Sequence, residues 1–182
     1  MSYSLQFFAR KTKKDILEIS EWFSEGKIRI GFRKYDESQN AGSKISTAID
    51  FYMTVPEFEL LCHNLLSGSI SRMVEAGKQV PPYYKGNQRG DQIVSRILYF
   101  GKSRSGLFIN ACEGPGKKTE TGAVMPTYRV NEAEKRVSIP LTNEEVKSFA
   151  LQGKRACDHY YMFYFGRDNK KVGCAKNNKE KR

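Results

Sequence analysis

Two stretches of the chain repeat one pattern of polar and apolar positions. Residues 51–64, FYMTVPEFELLCHN, and residues 138–151, SIPLTNEEVKSFAL, each predict the end of a strand followed by an amphipathic helix. Both contain Thr-x-x-Glu, in which the threonine hydroxyl accepts from a backbone N–H of the first helical turn and the glutamate reaches back to the cap's own N–H. Thr54 and Thr142 lie 88 residues apart, and the apolar helix faces align at the same offset. The pattern therefore predicts an internal duplication.

The strands that precede each helix extend this duplication. An even offset preserves strand parity, so residues that face inward in one half should face inward in the other. The predicted strand pairs are 4–9 with 92–97, 16–23 with 104–111, 27–35 with 122–130 after a shift, and 44–53 with EKRVSIPL at 134–141. Each half is predicted to form four antiparallel strands and a helix, which defines an α+β fold built as ββββα twice.

The duplication also predicts the domain organisation. We expect one domain over residues 1–165, with repeats at about 3–77 and 91–165 joined by the Pro- and Gly-rich linker AGKQVPPYYKGNQRGD. Residues 166–182 hold seven basic and two acidic residues and little apolar surface, so we expect a disordered basic tail.

Strand parity sorts the side chains of the predicted first sheet. Ile28, Ile30 and Phe32 alternate with Arg29, Gly31, Arg33 and Tyr35, which predicts one core face and one basic, aromatic face. Trp22 points outward from the strand before, and Phe108 points outward in the other half. Large aromatic rings on a water-facing sheet are costly unless a partner covers them. For Trp22, a stacked base, a subunit contact and an ordinary satellite cluster all remain open. Parity does not decide which face of 93–101 is exposed.

The charge of the chain narrows the choice of partner. The sequence carries 31 Lys and Arg against 20 Asp and Glu, a net charge of +11, of which the tail supplies +5. Such a balance favours a polyanion, nucleic acid first and an acidic membrane surface second, and solvated surface charge is the alternative.

Other classes of protein find little support in the sequence. No apolar run approaches the roughly 20 residues that span a bilayer, and the first ten residues lack the apolar core of a signal peptide. The four cysteines are scattered without a Cys-x-x-Cys pair, and the two histidines stand apart. We therefore expect no metal, no cofactor, no membrane association and no enzymatic activity. Reduced thiols and a cytoplasmic location are expected as well.

The second capping segment carries a resemblance to a known family. IPLTNEEV closely resembles the I-P-[IV]-T-x-x-E-[FV] segment of the Whirly family of single-stranded-DNA-binding proteins, with Leu141 at the [IV] position, and MTVPEFELL, KIRIGFRKYD and SRILYFGKSRSGLFIN resemble its other elements. The similarity covers roughly residues 3–165. The family's K-G-K-A-A-L signature is absent, and the nearest match is ARKTKKDIL, in which Lys11, Lys13 and Lys14 keep the positive charge.

The resemblance implies a structure and a mode of binding. It implies two antiparallel sheets packed crosswise, helices on one side that assemble a homotetramer, and single-stranded DNA bound along sheet edges between subunits. Relatives of this fold include guide-RNA-binding mitochondrial proteins and a transcriptional coactivator, so RNA is an alternative ligand. The nearest rival fold is that of the purine-rich-element-binding proteins.

Three functions follow as hypotheses. The first is a non-enzymatic protein that binds single-stranded nucleic acid, DNA before RNA, with little sequence preference. The second is an enzyme acting on nucleic acid, against which stands the lack of a convincing catalytic constellation. The third is a regulatory or structural protein whose basic face docks an acidic protein partner. The candidate binding residues are Lys11, Lys13, Lys14, Trp22, Arg29, Arg33, Tyr35, Arg96, Lys102, Arg104, Phe108, Lys117, Lys118, Tyr128 and Arg129.

Overall fold

A computed structural model of the chain describes residues 5–36 and 45–165. The predicted tail at 166–182 lies outside these residues. The strands are β1 Gln6–Lys11, β2 Asp15–Trp22, β3 Lys27–Tyr35, β4 Ile45–Thr54, β5 Tyr83–Arg89, β6 Gln92–Lys102, β7 Gly106–Lys118, β8 Val124–Pro126 and β9 Lys135–Thr142. The helices are α1 Val55–Leu66, α2 Ser69–Glu75 and α3 Asn143–Phe163.

The strands form two antiparallel sheets. The first sheet has the order β1-β2-β3-β4 and is followed by α1. In the second sheet β5, β6 and β7 are neighbours, β9 pairs with β7, and the short β8 pairs with the far end of β7. Helix α3 follows β9. The predicted α+β fold, ββββα twice, is therefore confirmed.

The strand-by-strand alignment of the two halves is wrong for the first three strands. The second sheet begins at Tyr83, inside the predicted linker and before residue 91, so β6 and β7 match β2 and β3. The predicted strand at 122–130 is only the three-residue β8. The error arises because β5 lacks apolar alternation and carries Gly86, where a Cβ would collide with Val124. The offset of 88 holds for β4 and β9 and for the helices they enter.

The core lies between the sheets and the helices. Ile28, Ile30 and Phe32 of β3 are fully buried, as parity predicted. Both capping boxes are present. Glu57 accepts from the Thr54 N–H at 3.0 Å, and Glu145 accepts from the Thr142 N–H at 2.8 Å. The amphipathic pattern of each helix begins at its cap, so the sequence placed both helix starts correctly.

Helix α3 also completes the packing of the first sheet. The ring of Phe149 meets that of Phe8 on β1 edge-on at 5.4 Å between centroids, and Glu145 accepts from Arg10 at 2.9 Å. The same helix crosses α1 closely at Gly153, where a Cβ would lie 2.6 Å from the Cys62 sulfur. The two halves of the duplication are thus joined by α3.

The cysteines in the described part of the chain are free and buried. They are Cys62, Cys112 and Cys157. Burial raises the pKa of Cys157 to about 12, which leaves its thiol protonated near neutral pH. Within the described ranges, no group of three or more His, Cys, Asp or Glu side chains is arranged to hold a metal ion. None of the described helices combines the length and apolar character needed to cross a membrane.

Candidate nucleic-acid interface

The outer face of the first sheet carries a charge-balanced network rather than free arginines. Arg29 donates to Glu18 at 2.7 Å, and Arg33 donates to Asp50 at 2.6 Å. Longer contacts cross-link the two pairs, at 3.8 Å between Arg29 and Asp50 and at 3.9 Å between Arg33 and Glu18. We call these four residues the arginine network. The predicted basic face on β3 therefore needs a correction, because two carboxylates from neighbouring strands neutralise its two guanidinium groups.

Strand register explains why the network forms. Gly31 lies between the two arginines on β3, and its cross-strand partners are Glu18 on β2 and Asp50 on β4. A Cβ at Gly31 would sit 2.7 Å from the Glu18 carboxylate oxygen, so the glycine leaves room for that carboxylate to reach the arginines. The alternation Arg-Gly-Arg was visible in the sequence, but the acidic partners depend on register between strands.

Two aromatic rings stand beside this network. Trp22, at the end of β2, is 44% exposed, which confirms its outward direction. Its ring meets that of Tyr52 on β4 edge-on, with 5.6 Å between centroids. Tyr52 lies directly opposite Arg29 across the β3–β4 ladder. The pair of rings therefore forms an aromatic corner that adjoins the arginine network.

A cleft of about 270 Å³ opens at this corner, between the two sheets. The first sheet contributes its aromatic rings and a lysine, and the second contributes polar residues of β5 and β6. The lining residues of this junction cleft are Trp22, Lys27, Tyr52, Thr54, Lys85, Gly86, Asn87 and Arg96. The structure thus brings together Trp22 and Arg96 of the predicted set, which are far apart in the sequence.

Arg96 lines the junction cleft as a buried side chain with two hydrogen-bond partners. It is 5% exposed, its Nε donates to Glu113 at 2.7 Å, and its Nη1 donates to the Asn87 side-chain oxygen at 3.1 Å. Glu113 accepts a second bond from Lys135 at 2.5 Å. Burial raises the pKa of Glu113, but the bond from Lys135 and the charge of Arg96 outweigh it, and the pKa falls below its usual value. The carboxylate therefore stays ionised and holds Arg96 in place.

The two lysines of the junction cleft differ in their partners. Lys85 donates to both carboxylate oxygens of Glu57 at 2.7 Å, which links β5 to the start of α1. Burial raises the pKa of Glu57, but the bonds from Lys85 and Thr54 outweigh it and lower the pKa. Lys27 forms no ion pair within the ranges that the structure describes. Its ammonium group is the cleft's available positive charge.

A second cleft, of about 390 Å³, lies at the other end of the first sheet. This hairpin cleft is lined by Lys14, Asp15, Lys34, Arg136, Val137 and Ser138. Asp15 is engaged by Arg10 at 3.0 Å, and the other charged lining residues, Lys14, Lys34 and Arg136, are cations. Lys11 and Lys13 are exposed beside it at the β1–β2 turn. The predicted lysines of this hairpin therefore share a basic region with Lys34 and Arg136.

The remaining predicted residues do not join the junction cleft. Lys102 and Arg104 are exposed at the β6–β7 turn, and Arg129 is exposed after β8. Lys117 and Lys118 end β7, where Lys118 donates to Gln88 at 2.6 Å. Three half-buried aromatic residues complete the set. Tyr35 lies at the end of β3, Phe108 lies on the outer face of β7, and Tyr128 follows β8. The fifteen predicted residues therefore form several separate surfaces.

Tyr128 has a structural position. Its ring covers Gly114, where a Cβ would lie 2.9 Å from the ring, and its hydroxyl donates to the Ser95 carbonyl at 3.1 Å. Burial raises the pKa of this phenol. A ring held this way is not free to stack on a ligand.

Sequence reasoning missed several residues of the two clefts. Tyr52 was readable, because Ile49, Phe51 and Met53 alternate with it and are buried. Lys85 and Asn87 carried no signal, because they lie in the segment taken for a linker. The other missed cations of the clefts are Lys27, Lys34 and Arg136, and Lys135, which bonds Glu113 behind Arg96, was missed as well.

Two antiparallel sheets, each completed by a capped helix, define the class of this protein at the level of its fold. Comparison with protein-family models finds no match, and neither does comparison with curated proteins. Among solved structures, the chain is similar to the plant transcriptional regulator PBF-2, with a TM-score of 0.53 and 12% identity over 92% of this chain and 96% of that one. It also matches WHY1 from Arabidopsis thaliana, with a TM-score of 0.49 and 12% identity over 96% and 94%. The similarity to PBF-2 confirms the Whirly-like fold.

Proposed function

We propose that this chain is a non-enzymatic protein that binds single-stranded nucleic acid, with DNA as the first ligand, at the junction cleft. One observation carries the proposal: the exposed ring of Trp22 and the ring of Tyr52 stand beside the ammonium of Lys27, which forms no ion pair with the described part of the chain. Aromatic side chains stack on bases irrespective of sequence, at about 1–3 kcal/mol per base, while cations follow the phosphates. The junction cleft offers both kinds of group within one small space.

The same geometry favours a single strand over a duplex. In a duplex the faces of the bases are covered by neighbouring bases, so only edges are available to a protein. The two rings of the junction cleft offer a face for stacking, which needs a base turned out of its stack. The net charge of +11 adds an attraction to phosphates that does not depend on sequence.

Intrinsic fluorescence tests the proposal directly, because Trp22 is the only tryptophan of the chain. A thymine octanucleotide should quench this fluorescence, and the corresponding duplex should bind more weakly. If the protein neutralises three phosphates, raising the salt concentration from 50 to 200 mM should lower the affinity for the single strand by about 20-fold. Equal affinity for duplex and single strand, or binding that 0.5 M salt leaves unchanged, would overturn the proposal.

A pair of lysine variants locates the binding surface. Lys27→Ala should weaken binding and reduce the slope of log affinity against log salt by about 0.7. Lys147→Ala removes the same charge from an exposed position on α3 and serves as the control. If both variants behave alike, the charge acts at a distance and the junction cleft is not the site. Parallel titration with RNA tests the alternative ligand, and failure of both nucleic acids would favour an acidic protein partner.

A separate observation supports assembly through the helices. Leu60 on α1 and Leu151 and Met162 on α3 are 58%, 53% and 71% exposed. From the run HYYMFYF, Tyr160 is buried within the chain, while Phe163 and Phe165 remain exposed beyond it. Exposed apolar groups of this number on two packed helices suit burial by another copy of the chain. We propose a homotetramer on this basis, as the resemblance implies.

A further inference from the structure

The polar groups of the junction cleft are nearly all hydrogen-bond donors. The side chains of Lys27, Lys85 and Arg96 carry donors and no acceptor. The hydroxyls of Tyr52 and Thr54 are the exceptions, because each can also accept; Thr54 donates its proton to Glu57 at 2.8 Å, so toward a ligand it would act as an acceptor. A ligand that enters this cleft must therefore present mainly acceptors to it.

The orientation of the Asn87 amide strengthens this bias. Its side-chain oxygen accepts from Nη1 of Arg96 at 3.1 Å. A guanidinium can only donate, so the amide oxygen must be the atom that faces it, and the amide NH₂ is left as the free end. An asparagine with both ends free binds adenine through one donor and one acceptor, but Asn87 has committed its acceptor.

The position of Arg96 is fixed before any ligand arrives. Its Nε and Nη1 atoms are bonded to Glu113 and Asn87, and Nη2 has no bonded acceptor within residues 5–36 and 45–165. The side chain is more than nine-tenths buried, yet the residue lines the junction cleft. A preorganised donor of this kind loses little rotamer entropy when it binds, which makes it suited to selective recognition.

We propose that the junction cleft selects guanine, with Arg96 and the Asn87 amide donating to the O6 and N7 acceptors of that base. This inference rests on the proposed function and adds a preference at one position of an otherwise unselective strand. On the edge that faces the major groove of a duplex, guanine is the base that presents two adjacent acceptors, O6 and N7. On the same edge adenine and cytosine would place an amino donor against these donors, and thymine offers one acceptor beside a methyl group.

Thymine octanucleotides with one central substitution test the preference through quenching of Trp22. The guanine oligonucleotide should bind about tenfold more tightly than all-thymine, which lies within the range of one bidentate base contact. Inosine keeps O6 and N7 and should match guanine. Adenine, cytosine and 7-deazaguanine should each lose the advantage, the last because it lacks the N7 acceptor.

Two variants test the residues themselves. Asn87→Ala and Arg96→Lys should each bring the ratio of guanine to thymine affinity close to one. Gln88→Ala is the matched control, because it removes an amide from the neighbouring position of β5, where it bonds Gly90 and Lys118 outside the cleft. This control should keep the full ratio. A ratio is unaffected by partial unfolding, so a merely structural role of Asn87 would leave it unchanged.

The outcomes separate this inference from the proposed function. If the thymine octanucleotide quenches Trp22 but the central base makes no difference, binding stands and guanine selection is overturned. A preference for adenine, a preference for cytosine, which pairs its N3 and O2 acceptors on the Watson–Crick edge, or full affinity for 7-deazaguanine also overturns it. If no oligonucleotide quenches Trp22, the proposed function fails first. The proposal is supported if the guanine and inosine oligonucleotides bind equally and most tightly, and if Asn87→Ala loses the ratio of guanine to thymine affinity.

Discussion

Replacing Glu18 by Gln and Asp50 by Asn together would remove both carboxylates from the arginine network while keeping side-chain size. Each change removes one negative charge, so the net charge rises from +11 to +13. Arg29 lies opposite Tyr52, beside the junction cleft, so both guanidinium groups become available to a strand that leaves the cleft. If each then contacts one phosphate, the salt slope steepens by about 0.7 per contact, or about 1.4 in all.

The same double variant should lose some stability. The two bonds it weakens measure 2.7 and 2.6 Å, and the arginine side chains are 22% and 14% exposed. Hydrogen bonds that involve charged groups contribute about 1.5–3 kcal/mol each, but the new amide oxygens still accept. We therefore expect a loss of about 2 kcal/mol, or a fall of about 4–8 °C in Tm.

Anisotropy titrations with a labelled single strand at several salt concentrations measure the slope of log affinity against log salt. Thermal melts measure the loss of stability. Glu75→Gln with Glu144→Gln is the control, because it makes the same change in charge at exposed positions on α2 and α3. The double variant should bind more tightly than this control. If the two have the same affinity and slope, the strand does not cross the outer face of the first sheet, and the reasoning is refuted.

Three further predictions concern stacking, pH and assembly. Trp22→Ala should weaken oligonucleotide binding by about 1–3 kcal/mol with no change in salt slope, because a ring neutralises no phosphate, and anisotropy would detect a changed slope. Glu113→Gln should lower the free energy of unfolding at pH 7 by about 3–5 kcal/mol. The pKa of Glu113 in the folded protein lies below the unfolded value near 4.5. The difference in stability between the parent and Glu113→Gln should therefore persist above about pH 4.5 and shrink as pH falls through the folded pKa. Denaturant titrations from pH 7 to pH 3 would show this. Met162→Asp with Leu151→Asp should reduce the mass found by light scattering while circular dichroism stays constant, and an unchanged tetramer would contradict assembly through α3.

The sequence could predict whatever depends on local periodicity. Alternation with a period of two placed Ile30 inside and Trp22 outside, because a strand that buries one face leaves its mark on every second residue. The two Thr-x-x-Glu boxes located both major helices, because a cap is a contact between residues three apart. The fold class followed from repeating these local signals.

The rest depended on contacts between distant strands. Nothing in β3 shows that Glu18 and Asp50 flank Gly31, because register is decided by the whole sheet. The junction cleft unites residues 22 and 96, which no periodic pattern relates. Strand β5 was hidden for a related reason: its polar residues serve the cleft instead of a core, so it lacks the apolar alternation by which strands are identified.

The contact between Phe8 and Phe149 has a consequence for the order of events during synthesis. A ribosome adds about 5–20 residues per second, so roughly 7–28 s separate the emergence of these two rings. Throughout that interval β1 lacks the helix that covers it, although its strand partners and α1 are already available. The duplicated halves are therefore not two successive folding units. The first sheet remains open to chaperones, or to a second nascent chain, until α3 leaves the exit tunnel.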